Sequence, residues 1–158
     1  MRTNRSALSA WLGAVVVAAP AVALGQQAVV EKSFDVYLVD PNGVQVVQSD
    51  VVPLLPGQAC FGWRIRLDGA DRLIKATETL ELPEAPAVWS GEGDEYSPTK
   101  IVNDRKTAVT TMFHALDEGW FGSVWCIAEG DPVGPHTIAV HVDEHLLAEF
   151  DFTVEAVR

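Results

Sequence analysis

The 158 residues carry 11 Lys and Arg against 22 Asp and Glu, a formal net charge of −11. That length accommodates one domain, and that charge repels nucleic acid and anionic lipid. Cationic partners and calcium remain compatible with it.

Arg2 and Arg5 precede an apolar run of small residues over 7–23, and both Ala21-Val22-Ala23 and Ala23-Leu24-Gly25 offer small side chains to a signal peptidase. This is the pattern of a secretory signal peptide over 1–25, cut before Gln26, leaving a single domain over 26–158. The run is short for a bilayer and Pro20 interrupts it, so no membrane span is expected after cleavage. Removing Arg2 and Arg5 leaves 9 basic against 22 acidic residues, a formal charge of −13 on the exported part.

The rest reads as short strands between turn residues. Over 29–39, Phe34, Val36 and Leu38 alternate with Asp35 and Tyr37, and Asp40-Pro41-Asn42-Gly43 turns the chain. A β-branched run follows over 44–52. In 60–67, Phe61, Trp63, Ile65 and Leu67 take one face, with Arg64 and Arg66 on the other, as in a half-buried antiparallel strand. After the Asp68–Asp71 turn, residues 73–82 alternate again, except that Glu78 falls on the apolar side. An edge position, or a partner such as Arg64, would account for it.

Residues 83–100 form the longest irregular stretch, with Trp89 and Tyr96, and long loops in compact domains often carry function. Strands follow over 107–114 and 120–127. The strands 136–142 and 146–154 close the chain as a hairpin about Asp143-Glu144, with Leu146, Ala148, Phe150, Phe152 and Val154 facing inward. Seven or eight strands at this spacing predict an all-β, antiparallel sandwich or barrel.

Cys60 and Cys126 are the 2 cysteines, and an even count in an exported chain points to a disulfide. Cys60 shares parity with Arg64 and Arg66, away from the Phe61/Trp63 face. A bulge near Gly62, a start ahead of the strand proper, or a bridge between neighbouring strands or from a loop would each reconcile it.

The closing pattern resembles the last hairpin of bacterial immunoglobulin-like domains. It runs from Asp131-Pro132-Val133-Gly134 through Thr137-Ile138-Ala139-Val140 to Leu147-Ala148-Glu149-Phe150-Asp151-Phe152-Thr153-Val154. Phe61-Gly62-Trp63-Arg64 and Leu80-Glu81-Leu82-Pro83 are similar to exported bacterial domains of unknown function with that fold. The resemblance implies an immunoglobulin-like β-sandwich and no particular activity. In antibody-type domains the second Cys lies on the penultimate strand. Here Cys126 precedes that strand and follows Trp125, so the antibody core bridge does not carry over.

Chemistry-bearing residues are scattered. His141, Asp143 and His145 alternate, with His136 nearby, and on one continuous strand their imidazoles and carboxylate would suit zinc or copper. The turn at Asp143-Glu144 works against that face. Glu92, Asp94 and Glu95, or Asp68 and Asp71, could offer oxygens to calcium but match no known loop. Ser123 and His114 are tied by no hydrolase motif. A carboxylate pair for glycoside cleavage is not readable from spacing.

Of the aromatic residues, Trp63 belongs to the core. Trp89 and Tyr96 sit in the loop, and Trp120 and Trp125 have opposite parity, so one of them faces outward. The expectation is a non-catalytic periplasmic or secreted binding domain without cofactor. It would take carbohydrate or a protein partner through Trp89, Tyr96, Trp120 and Trp125. The alternatives are a periplasmic metal-binding protein using His141, Asp143 and His145 and, behind it, a small hydrolase.

Overall fold

Strands with one apolar face need a second sheet to cover it. In the computed structural model, which describes residues 28–68, 73–89 and 97–157, that second sheet is present. The leader expected over 1–25 lies outside those residues. The strands are β1 (Val29–Asp40), β2 (Gly43–Val47), β3 (Val51–Pro53), β4 (Ala59–Leu67), β5 (Leu73–Glu81), β6 (Thr99–Val102), β7 (Thr107–Ala115), β8 (Trp120–Cys126), β9 (Gly134–Val142) and β10 (His145–Glu155). One sheet has the order β2-β1-β4-β8 and the other β3-β10-β9-β5-β7-β6. The all-β sandwich read from the alternation is therefore what these residues build.

Two details raise the strand number above the expected seven or eight. The 44–52 run splits, because Gln48-Ser49-Asp50 breaks the apolar pattern and the Ser49 hydroxyl bonds back to Val51 N–H and C=O at 3.0 and 3.1 Å. The chain thereby leaves the edge of the first sheet and joins the second as β3. There it pairs in parallel with β10, Val51 opposite Thr153, the exception to antiparallel pairing among the described strands. The second addition is β6, whose four residues begin with the last two of the expected loop, Thr99 and Lys100, and pair with β7.

The turns follow their residues. Asp40 Oδ1 accepts from the N–H groups of Asn42 and Gly43 at 2.6 and 3.1 Å, closing the β1–β2 hairpin. Asp143 and Glu144 take φ of 50° and 66°, the mirror-image turn whose twist matches a two-residue hairpin. A register shift between Leu146 and Ala148 then corrects one expectation: Leu146 is exposed, and the inward series begins at Ala148.

Between the sheets lie Val36, Phe61, Trp63, Ile65, Phe121, Ile138, Val140, Phe150 and Phe152. Phe152 stacks on Phe34 at 4.8 Å and leans on Phe61 at 4.7 Å between ring centroids. Glu78 lies among them, 0% exposed, on central strand β5. It is neither at an edge nor paired with Arg64, whose guanidinium lies 3.3 Å from Asp35 on the outer surface. Glu78 instead accepts from the indole N–H of Trp63 on β4 and, at 2.6 Å, from that of Trp125 on β8. One carboxylate of one sheet thus ties two strands of the other.

Cys60 and Cys126 form a disulfide. They are register partners on β4 and β8, so the bridge joins neighbouring strands, and parity puts it on the outer face of the four-stranded sheet. That resolves the parity problem without a bulge.

Candidate interaction surface

Of the residues expected to form a binding platform, Trp89, Tyr96, Trp120 and Trp125, the structure divides the tryptophans. Trp120 faces outward and Trp125 turns into the gap between the sheets. The ring of Trp120 is flanked by Arg64 and Arg66, whose guanidinium carbons lie 5.5 and 5.6 Å from its centroid. Asp35 and Glu31 hold those arginines in turn, at 3.3 and 3.4 Å. Gly122 opposite Arg64 makes the arrangement possible, since a Cβ there would run into the Trp63 carbonyl.

Trp89 packs edge-on against Trp125, 6.2 Å between centroids, and donates its indole N–H to the Arg105 carbonyl at 2.8 Å. The 83–100 segment is therefore anchored at Trp89 to the β6–β7 turn. Tyr96 lies outside the described residues. Trp125, Trp89, Asp131 and His136 line a cleft of about 30 Å³, room for a single water.

The titratable groups near this corner are shifted by burial. Desolvation pushes the Glu78 carboxyl above its ordinary 4.5, although the hydrogen bonds from Trp63, Trp125 and Ser123 pull the other way. Burial also raises Asp131 and lowers His136, each partly opposed by the other's charge. His136 stacks on Phe152 at 5.1 Å and its Nδ1 lies 2.9 Å from the Gly134 carbonyl. It belongs to the core rather than to a metal site.

His141, Asp143 and His145 are not brought together. The two-residue turn puts His145 opposite Val142 and Leu146 opposite His141, so the two histidines fall on opposite faces. His145 Nδ1 lies 2.8 Å from the Asp143 carbonyl. Among the described residues no three His, Cys, Asp or Glu side chains are gathered for a metal. Of the acidic candidates, Asp68 is exposed, while Asp71, Glu92, Asp94 and Glu95 lie outside the described residues. Ser123 bonds to Glu78. His114 packs on Phe121, its pKa lowered by burial, with Nε2 buried and unpartnered.

What sequence reasoning missed is the edge at β2. All five of its residues are exposed, Val44 and Val46 by 61% and 56%, and among the described strands nothing pairs with its outer side. Register places Val44 beside Val39 and Val46 beside Tyr37 on the outer face, and Tyr37 in turn lies beside the disulfide. Strand edges are usually blunted by charge, proline or a bulge. Here the edge carries valine, and three valines in five residues were the available signal.

Two stacked sheets around one buried core define an immunoglobulin-like β-sandwich. The chain belongs to the PM0630 beta sandwich domain family, whose model matches residues 32–155. It is also similar to the crystal structure of an immunoglobulin-like protein from Pseudomonas aeruginosa, with TM-score 0.53 and 18% identity over 84% of this chain and 99% of that one. At that identity the likeness concerns the fold alone. No curated protein matches the sequence.

Proposed function

We propose that this chain is a non-catalytic interaction domain, exported from the cytoplasm, that binds a protein partner on the β1–β2 side of the sandwich. The observation that carries this reading is the contrast between its aromatic and its β-branched surfaces. Trp63 is fully buried, Trp89 and Trp125 pack against each other with their indole donors bonded within the chain, and Trp120 has two arginines over its ring. That leaves poor stacking platforms for sugar. Val39, Val44 and Val46 stand exposed beside an open strand edge, the kind of surface that protein partners cover. The Arg2/Arg5 leader pattern supports export, as does a disulfide, which persists in oxidising compartments. Among the described residues no helix is long and apolar enough to cross a membrane.

The test compares wild type with a Val44→Asp/Val46→Asp variant, both affinity-tagged and expressed in the cell that makes the protein. After chemical cross-linking, the wild type should retain a defined protein partner that the variant loses at equal abundance and equal thermal stability. Retention of the same partner by both, or a thermal shift with soluble glycans and no protein partner, would contradict the reading.

A further inference from the structure

The two sheets leave one side of the sandwich open. β2 covers β1 only from Val36 to Asp40, while β4 covers its other side along most of its length. β3 likewise covers β10 only from Thr153 to Glu155. Where the chain crosses between sheets, a groove of about 490 Å³ therefore lies between two strand edges that no described strand pairs.

Backbone alternation says which groups face it. Val39 N–H points to the Gln58 carbonyl on the β4 side, so the N–H and C=O of Lys32 and Phe34, of opposite parity, point to the open side. Thr153 N–H points to the Asp50 carbonyl, so those of Asp151 and Glu149, at steps of two, point the same way. Both walls thus present free ladder groups at the height of the groove. Its apolar lining is Phe34 and Phe150, and its charges are Asp50, Glu149 and Asp151 against Lys32. The Lys32 ammonium already rests over the Phe150 ring, 5.4 Å from its centroid.

We infer that this groove takes an extended, cationic polypeptide segment of the partner by strand addition. The segment would add main-chain hydrogen bonds at Lys32 and Phe34 or at Glu149 and Asp151. It would turn apolar side chains onto Phe34 and Phe150 and basic ones toward the acidic rim. A second copy of this chain is the poorer occupant, because a body with net charge −11 repels itself. The inference rests on the interaction reading above and adds where the partner's chain lies and what it is made of.

The test titrates isotope-labelled protein with three short synthetic peptides. One alternates Val and Lys, one alternates Val and Glu, and one is the Val/Lys peptide N-methylated at every second residue, which removes edge hydrogen bonds and keeps charge. The Val/Lys peptide should bind saturably and shift the amide resonances of Lys32, Phe34, Glu149 and Asp151. The methylated peptide should bind on the order of tenfold more weakly, and the acidic one not at all. A Glu149→Lys/Asp151→Lys variant should weaken the Val/Lys peptide by a similar factor with its fold intact by circular dichroism. Equal binding of the methylated peptide, shifts centred elsewhere, no binding, or sedimentation as a dimer that excludes the peptide would each overturn the inference. If Val44→Asp/Val46→Asp still releases the cross-linked partner in that event, the groove assignment alone has failed. If neither experiment responds, the interaction reading fails with it.

Discussion

Glu78→Ala removes the carboxylate that ties the two sheets, and the structure lets its cost be built up. The Trp63 side chain is fully buried, so its indole N–H would lose its only acceptor without access to water, a penalty of about 1–3 kcal/mol. Trp125 is half-buried and can rebond to solvent, which makes its share small. The space left between the sheets adds about 1–2 kcal/mol, and relief of a desolvated charge offsets part of the total. The net expectation is a loss of about 2–3 kcal/mol, a fall of roughly 10 °C in Tm for a domain of this size. Urea melts followed by tryptophan fluorescence measure it, and the indole N–H resonances of Trp63 and Trp125 should both move. A variant within about 0.5 kcal/mol of wild type, an ordinary surface-substitution effect, would refute the inter-sheet tie.

Because burial raises the Glu78 pKa above 4.5, the folded chain holds that proton at pH values where the unfolded chain has released it. Relative to Glu78→Gln, wild type should therefore gain stability as pH falls from neutral toward 4.5 and level off below, read from paired urea melts across that range. The Cys60–Cys126 bridge closes a separation of 66 residues. Cys60→Ala/Cys126→Ala should cost up to about 4 kcal/mol, with the sandwich retained in far-ultraviolet circular dichroism. Gly122→Ala sets a Cβ against the Trp63 carbonyl on the facing strand, a rigid neighbour. It should cost about 1–3 kcal/mol, whereas the same change at Gly57, where a Cβ meets open space but φ is +71°, should cost only its backbone strain.

The fold was legible because each strand announces its faces by period-two alternation. Phe61, Trp63 and Ile65 point inward as their spacing says, and Cys60 and Cys126 point outward as theirs says, which selects a bridge between neighbours. Alternation reports a face and not a partner. It flagged Glu78 as an intruder but carried no sign of the two indoles that donate to it, which lie on strands of the other sheet. It also failed where the backbone leaves the regular pattern, at the Gln48–Asp50 crossing and at the shift beside Leu146. Trp89 and Trp125 do share one corner of the molecule, yet their donors are already occupied. The groove could not be read at all, since its two walls come from opposite ends of the chain and exist only because β2 and β3 are too short to cover them.

The β1–β2 side is the surface through which the domain should meet its partner. A photo-reactive amino acid placed at Val46, with a second protein carrying it at Phe113 on the other sheet, measures this in living cells. Illumination should join position 46 to one discrete protein and leave position 113 unmodified. Equal adducts at both positions, or none at 46, would mean that the open β1–β2 side is not the surface this domain uses.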